Sequence, residues 1–177
     1  GQSAWAGGLD LDIRLAGYTV TWLDTAWRLP SSVDGPDVYG YGGDPDGDGI
    51  YTYTWGYNLA NSEMGHLFYT ELGNLAYLDI HGNAGQPGSG LTNTGDFDYL
   101  MATWYWSGTP LADEADQAWV FFTRYGYEYP SYQSFETHAM AVRSGLVRPA
   151  AVPVPGAILL LGSGLLGAAL LRKRSRD

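Results

Sequence analysis

Asp44-Pro45-Asp46-Gly47-Asp48-Gly49 places carboxylates at the first, third and fifth positions of a calcium-loop pattern and glycine at the sixth, with Thr52 at the ninth. Oxygen donors at that spacing suit a hard divalent cation. The twelfth position is Trp55 in place of a bidentate glutamate, so Asp44, Asp46, Asp48 and Thr52 make half a loop. Weak calcium binding therefore competes with the reading of a solvated acidic turn. Glu63, His66 and Glu71 are spaced to share one helix and could make an acid/base pair or part of a metal site; a helix-start glutamate and a surface histidine account for them equally well. His81 and His138 stand alone and the chain has no cysteine, so no zinc ligand set is visible. Ser163 between Gly162 and Gly164 falls in an apolar run, which leaves no candidate for a nucleophilic serine. Lys173 is the only lysine, which removes Schiff-base and P-loop chemistry. A non-enzymatic role is the expectation.

Aromatic side chains are the other chemical resource. Tyr39, Tyr41, Tyr51, Tyr53, Trp55 and Tyr57 nearly alternate along one stretch, and Tyr125, Tyr127, Tyr129 and Tyr132 along another. On strands, alternation puts such residues on one face. Aromatic faces beside Asp and Asn suit neutral sugars, whose C–H faces stack on rings while their hydroxyls meet carboxylates and amides. Tyr51, Tyr53, Trp55, Tyr57, Tyr127 and Tyr129 are the candidate ligand-binding residues; the competing reading is tyrosine filling half-buried strand positions.

The chain of 177 residues is 45% apolar and 15% aromatic, enough for a core of domain size. Its net charge of −10 is unevenly spread. Residues 1–150 hold five arginines against 18 acids, a charge of −13, whereas Arg172, Lys173, Arg174 and Arg176 crowd the last six positions. An acidic field of that size repels nucleic acid and dense polyanions, so a nucleic-acid partner is excluded. The first residue is Gly1, with no Met or apolar leader before it, which fits a processed form or a fragment.

From Ala150 the composition changes: two prolines in Val152-Pro153-Val154-Pro155-Gly156, an uncharged run to Leu171, then basic residues. At 1.5 Å per residue the 16 residues 156–171 reach about 24 Å, and about 30 Å with 152–155 included, which predicts a short transmembrane helix with the basic end (172–177) in the cytoplasm. A buried core helix is the alternative. Gly162, Ser163, Gly164, Gly167 and Ala168 offer a close-packing face to another helix. The prolines keep the approach (149–155) extended and open to a protease.

Val152-Pro153-Val154-Pro155-Gly156, Leu161-Gly162-Ser163-Gly164-Leu165-Leu166-Gly167 and Arg172-Lys173-Arg174 together resemble the PEP-CTERM sorting signal in its VPxPA form. The tail departs from that pattern in having no Glu between the prolines and Gly156 where Ala is usual. The resemblance implies an exopolysaccharide-producing Gram-negative bacterium, an inner-membrane stage with residues 1–148 exported, and processing by an exosortase that passes the protein to the cell surface or medium.

The elements that would position the aromatic and acidic groups are short. Leu9, Leu11, Ile13 and Leu15 alternate as in a strand, and Gly and Pro make Ser31–Asp48 a long loop. Asn61-Ser62-Glu63 opens a helix with Met64, Leu67, Phe68 and Leu72 on one face and Gly73 as its stop. After a loop over 81–95, strands are predicted over 100–107, 118–123 and 138–143, with 125–132 as a tyrosine-rich hairpin tip.

Trp27-Arg28-Leu29-Pro30, Ser62-Glu63-Met64-Gly65-His66-Leu67-Phe68-Tyr69, Glu71-Leu72-Gly73-Asn74, Tyr105-Trp106-Ser107-Gly108-Thr109, Ala118-Trp119-Val120-Phe121 and Ala141-Val142-Arg143 resemble, in order, the Lcl-type C-terminal domain family. That resemblance implies an α+β, C-type-lectin-like domain with long loops over residues 1–148, followed by the single transmembrane helix, and a glycan or polysaccharide as ligand. Ala4-Trp5-Ala6-Gly7 would be the end of a helix that precedes the Trp-Arg-Leu-Pro motif, which favours the fragment reading. Two other roles stay open: a biofilm-matrix protein that self-associates without a small ligand, and an enzyme of unknown type.

Overall fold

A computed structural model describes residues 1–11, 17–33, 39–40 and 55–150. The chain divides into two compact units, Gly1–Leu11 with Trp22–Gly145, and Asp12–Thr21 with Leu146–Asp177. Described elements are α1 (Gln2–Gly7), β1 (Tyr18–Trp22), β2 (Tyr39–Gly40), β3 (Trp55–Tyr57), α2 (Glu63–Gly65) running into a π-helix (His66–Glu71), β4 (Trp104–Leu111), β5 (Glu114–Phe122), β6 (Tyr127–Tyr132), β7 (His138–Ala139) and β8 (Gly145–Pro149). This is a mixed, sheet-rich fold with few helices. Among the described residues no helix is long and apolar enough to cross a membrane; the expected span, 156–171, lies outside them, as do Val152, Pro153, Val154, Pro155 and Gly156.

A six-stranded sheet in the order β2-β3-β6-β5-β4-β7 organises the first unit. The β3-β6-β5-β4 run is antiparallel, and β2 and β7 add at the two sides in parallel. The near-continuous apolar run of β5 follows from burial on both faces. Trp119 and Phe121 point one way, and Ala118, Val120 and Phe122 the other. On the first face Phe121 and Tyr105 pack against Met64 and Phe68 of the helical segment. On the second, Val120, Ala118 and Trp106 pack against Ala6 of α1 and Leu29.

The helix predicted to open at Asn61–Glu63 does start there. Ser62 is its N-cap, accepting from the Gly65 amide at 3.0 Å. Its register then widens: Leu72 N–H donates to Leu67 O at 2.9 Å, five residues back, before Gly73 at φ 65° ends it. Buried Asn74 secures the loop that follows. Its Oδ1 accepts from Thr92 N, Thr92 Oγ1 and Asn93 N, and its Nδ2 donates to Asn93 O at 2.8 Å.

Three expectations need correction. Tyr127–Tyr132 is an internal strand of the sheet, not a hairpin tip; the turn is Thr123–Gly126, where Gly126 at φ 61° lies so close to Tyr69 Oη and Phe68 that a Cβ would overlap them. The strand expected over 138–143 is only two residues long, because Val142 leaves β4 to make an antiparallel bridge with Arg28. The stretch around Leu9 and Leu11 is not a strand; it follows the end of α1, and Ile13 and Leu15 lie outside the described residues. In the second unit β1 and β8 form a two-stranded sheet, and every residue of β8 is exposed.

Candidate functional site

The sheet register decides which aromatic residues share a surface. Trp104 of β4 stands opposite Phe122 of β5, which stands opposite Tyr127 of β6, which stands opposite Tyr57 of β3. Tyr129, two residues along β6, has the same facing. These rings continue the face that α1 and Leu29 cover at Trp106 and Val120, but they remain half-buried. The strip runs Tyr57, Tyr127, Tyr129, Trp104, Phe122, Tyr125, Tyr77, each ring centroid between 3.7 and 5.5 Å from the next. Trp104 and Phe122 stack at 14°. Tyr125 and Tyr77 are 38% and 39% exposed, so the strip opens to solvent at that end.

Of the residues singled out from the sequence, Tyr57, Tyr127 and Tyr129 are thus brought together, and Trp55 shares their face by alternation along β3. Tyr51 and Tyr53 lie outside the described residues, as do Asp44, Asp46, Asp48 and Thr52 of the acidic loop. Tyr132, part of the same sequence alternation, pairs with Gln117 and so faces the other side of the sheet. Trp104, Phe122, Tyr77 and Arg124 were not expected in the strip. The signal for Trp104 and Phe122 was parity across paired strands, which no single stretch of sequence carries.

Arg124 lies over the Tyr125 ring, its guanidinium carbon 5.6 Å from the ring centroid. Its turn is fixed from both sides. Buried Thr123 Oγ1 donates to the carbonyl region of Met101 and Thr103 at 2.7 and 2.9 Å, and Tyr125 O accepts from Tyr77 N at 2.9 Å.

The opposite face is sealed where the helical segment packs on it, and carries a buried acid there. Glu128, 2% exposed, is hydrogen-bonded by the Ser32 hydroxyl at one carboxyl oxygen and by Ser62 Oγ at 2.7 Å at the other. Burial pushes its pKa up to about 7, with the two serine hydroxyls pulling the other way. Tyr69, packed nearby with its hydroxyl donating to Gly126 O, is raised by the same desolvation.

Glu63 has the contrary environment. Arg28 grips it with two bonds, Nη1 to Oε2 at 2.6 Å and Nη2 to Oε1 at 2.8 Å, and the Ser31 amide donates at 2.6 Å. The Arg28 hydrogen bonds hold its carboxyl below the usual range. His66 pairs with Glu71 at 3.0 Å, a contact that the wider π register makes between residues five apart. Glu63, His66 and Glu71 all line a cavity of about 530 Å³ whose apolar lining includes Met64, Leu67, Phe97 and Met140. Within it Glu63 is held by Arg28, and His66 by Glu71. Among the described residues, no group of three or more His, Cys, Asp or Glu side chains is placed to hold a metal ion.

Compared with known proteins, the chain matches no family model, no curated protein and no solved structure.

Proposed function

We propose that the protein is an exported surface or matrix protein whose lectin-like first unit binds glycan, and whose C-terminal tail holds it in the inner membrane until an exosortase-type protease releases it. The aromatic strip on the half-open sheet face carries the binding reading. A continuous run of rings, half-buried along the sheet and open to solvent at Tyr125 and Tyr77, matches the C–H faces of a sugar chain. The tail reading rests on the sequence alone, on the paired prolines, the uncharged run and the basic end.

Retention of the full chain on immobilised polysaccharides tests the binding reading. Wild type is expected to be retained on at least one polymer, and Tyr129→Ala to lose roughly tenfold in affinity, the order expected for one lost stacking contact. Equal retention of both proteins, or none of either, overturns it.

A self-associating matrix protein is the second reading, favoured by Tyr18, Leu146 and Val147, which are 52%, 44% and 55% exposed on the two-stranded sheet. Sedimentation of the full chain in a non-interacting detergent separates the two. Concentration-dependent assembly that Val147→Lys abolishes, without glycan retention, would favour this role.

A further inference from the structure

The glycan surface proposed above has a chemically distinct end. Arg28 is held by Glu63 and lies 3.8 Å from Asp24, and Arg143 donates to Asp24 O and Thr25 O while lying over Trp22. Arg124 is exposed and, among the described residues, has no carboxylate or carbonyl partner for its guanidinium. Among the described residues, Arg143 and the exposed Arg148 of β8 also have no carboxylate at salt-bridge distance, but only Arg124 holds an open guanidinium at the end of the aromatic strip. Flexibility does not explain it. Its turn is pinned through Thr123, through the Tyr77-to-Tyr125 backbone bond, and through Gly90, whose missing Cβ would stand 2.7 Å from Arg124 O.

We propose that Arg124, with Tyr125 and Tyr77, forms a subsite for a carboxylated sugar, a uronate within an otherwise neutral polysaccharide. The planar fork of a guanidinium donates two parallel N–H···O bonds to a carboxylate, and the ring beneath it limits its conformations before the ligand arrives. Tyr77 and Tyr125, 5.3 Å apart and tilted at 45°, leave surface for the sugar that bears the acid. The net −13 of residues 1–150 sets an upper bound on ligand charge. Densely charged polymers are repelled, whereas a carboxylate recurring once in several neutral sugars meets one cation at short range and little of the long-range field.

This inference rests on the glycan reading, and the experiment keeps the two apart. The full chain is immobilised and exposed to gellan, a glucuronate-bearing exopolysaccharide, and to gellan whose carboxyls have been reduced to alcohols. Wild type is expected to bind native polymer roughly tenfold more tightly than the reduced one, as one charge-assisted contact gives. Arg124→Gln should bind both polymers equally, at the level of wild type with the reduced form, and Arg124→Lys should recover part of the difference. Equal binding of both polymers by wild type overturns the uronate subsite and leaves glycan binding intact. No binding of either polymer overturns the subsite as well as the reading beneath it for this ligand class. A thermal melt confirms that the exposed substitution leaves the fold in place.

Discussion

The same strands build two faces that treat polar groups in opposite ways. On the helix side, Phe121, Tyr105 and Trp119 are sealed, and the one carboxyl among them, Glu128, has given up its water for two serine hydroxyls. On the other side, Trp104, Phe122, Tyr127 and Tyr129 remain half in water, and the single guanidinium at their end keeps its fork open. Position along a strand decides which fate a residue meets: Glu128 and Tyr127 are neighbours in sequence and belong to different environments. The sealed face spends its polar groups on holding the fold together. The half-open face is where contact area is left for something else.

Stability measurements can break that contrast. Phe121→Ala on the sealed face is expected to cost about 3–5 kcal/mol in urea unfolding, because the cavity it leaves lies between sheet and helix. Tyr125→Ala, at the exposed end of the strip, should change stability by no more than about 1 kcal/mol. Comparable losses at both positions would mean the strip is core and not a surface.

The next largest effect is in pH. Glu128 has its folded pKa raised to about 7 from 4.5, so its neutral form is the one the fold prefers. The cost of ionising it is absent below pH 4.5, grows as pH rises to 7 and stays constant above, reaching about 3 kcal/mol. Glu128→Gln should flatten that part of the profile, measured as urea stability at pH 4.5, 6 and 7.5. An unchanged slope would show that Glu128 is not the group responsible.

Glu63 sharpens the same comparison with the opposite sign. Its folded pKa is depressed, so its contribution is present above the ordinary carboxylate range and disappears as pH falls through the folded value. Because Arg28 and Glu63 are both partly exposed, Arg28→Gln should cost only about 1 kcal/mol or less at neutral pH, and nothing once Glu63 is protonated. A pH-independent loss would mean that Arg28 acts through packing of its stem instead of through charge.

The sequence made some of this fold legible and hid the rest for identifiable reasons. Ser62, Glu63 and Gly73 marked the helix because capping and dipole effects are local. The apolar run at Ala118–Phe122 marked a doubly buried strand in the same way. Tyr127–Tyr132 looked like a turn because Pro130 and Glu128 interrupt it; only the long-range pairing with β5 shows that Glu128 takes an interior register position opposite Phe121. The widening of the helix into a π register has no sequence signal that separates it from an α turn. Of the expected ligand-binding residues, Trp55, Tyr57, Tyr127 and Tyr129 share a face as alternation required, whereas Trp104 and Phe122 joined them through pairing between strands. The mixed, sheet-rich fold with few helices agrees with the one short helix and several strands predicted along the chain.

One oxygen atom ties the two kinds of structure together. Ser62 Oγ accepts from the Gly65 amide at the start of the helix and donates to the Glu128 carboxyl inside the sheet, with 66 residues of chain between the ends of the second bond. Helix initiation and the protonation of a strand residue therefore draw on the same atom. The Gly65 amide becomes a local reporter: a hydroxyl that donates to a carboxylate is the stronger acceptor, so the Gly65 amide proton resonance should shift as Glu128 gains its charge. A distant titration would then be read at a single helical turn.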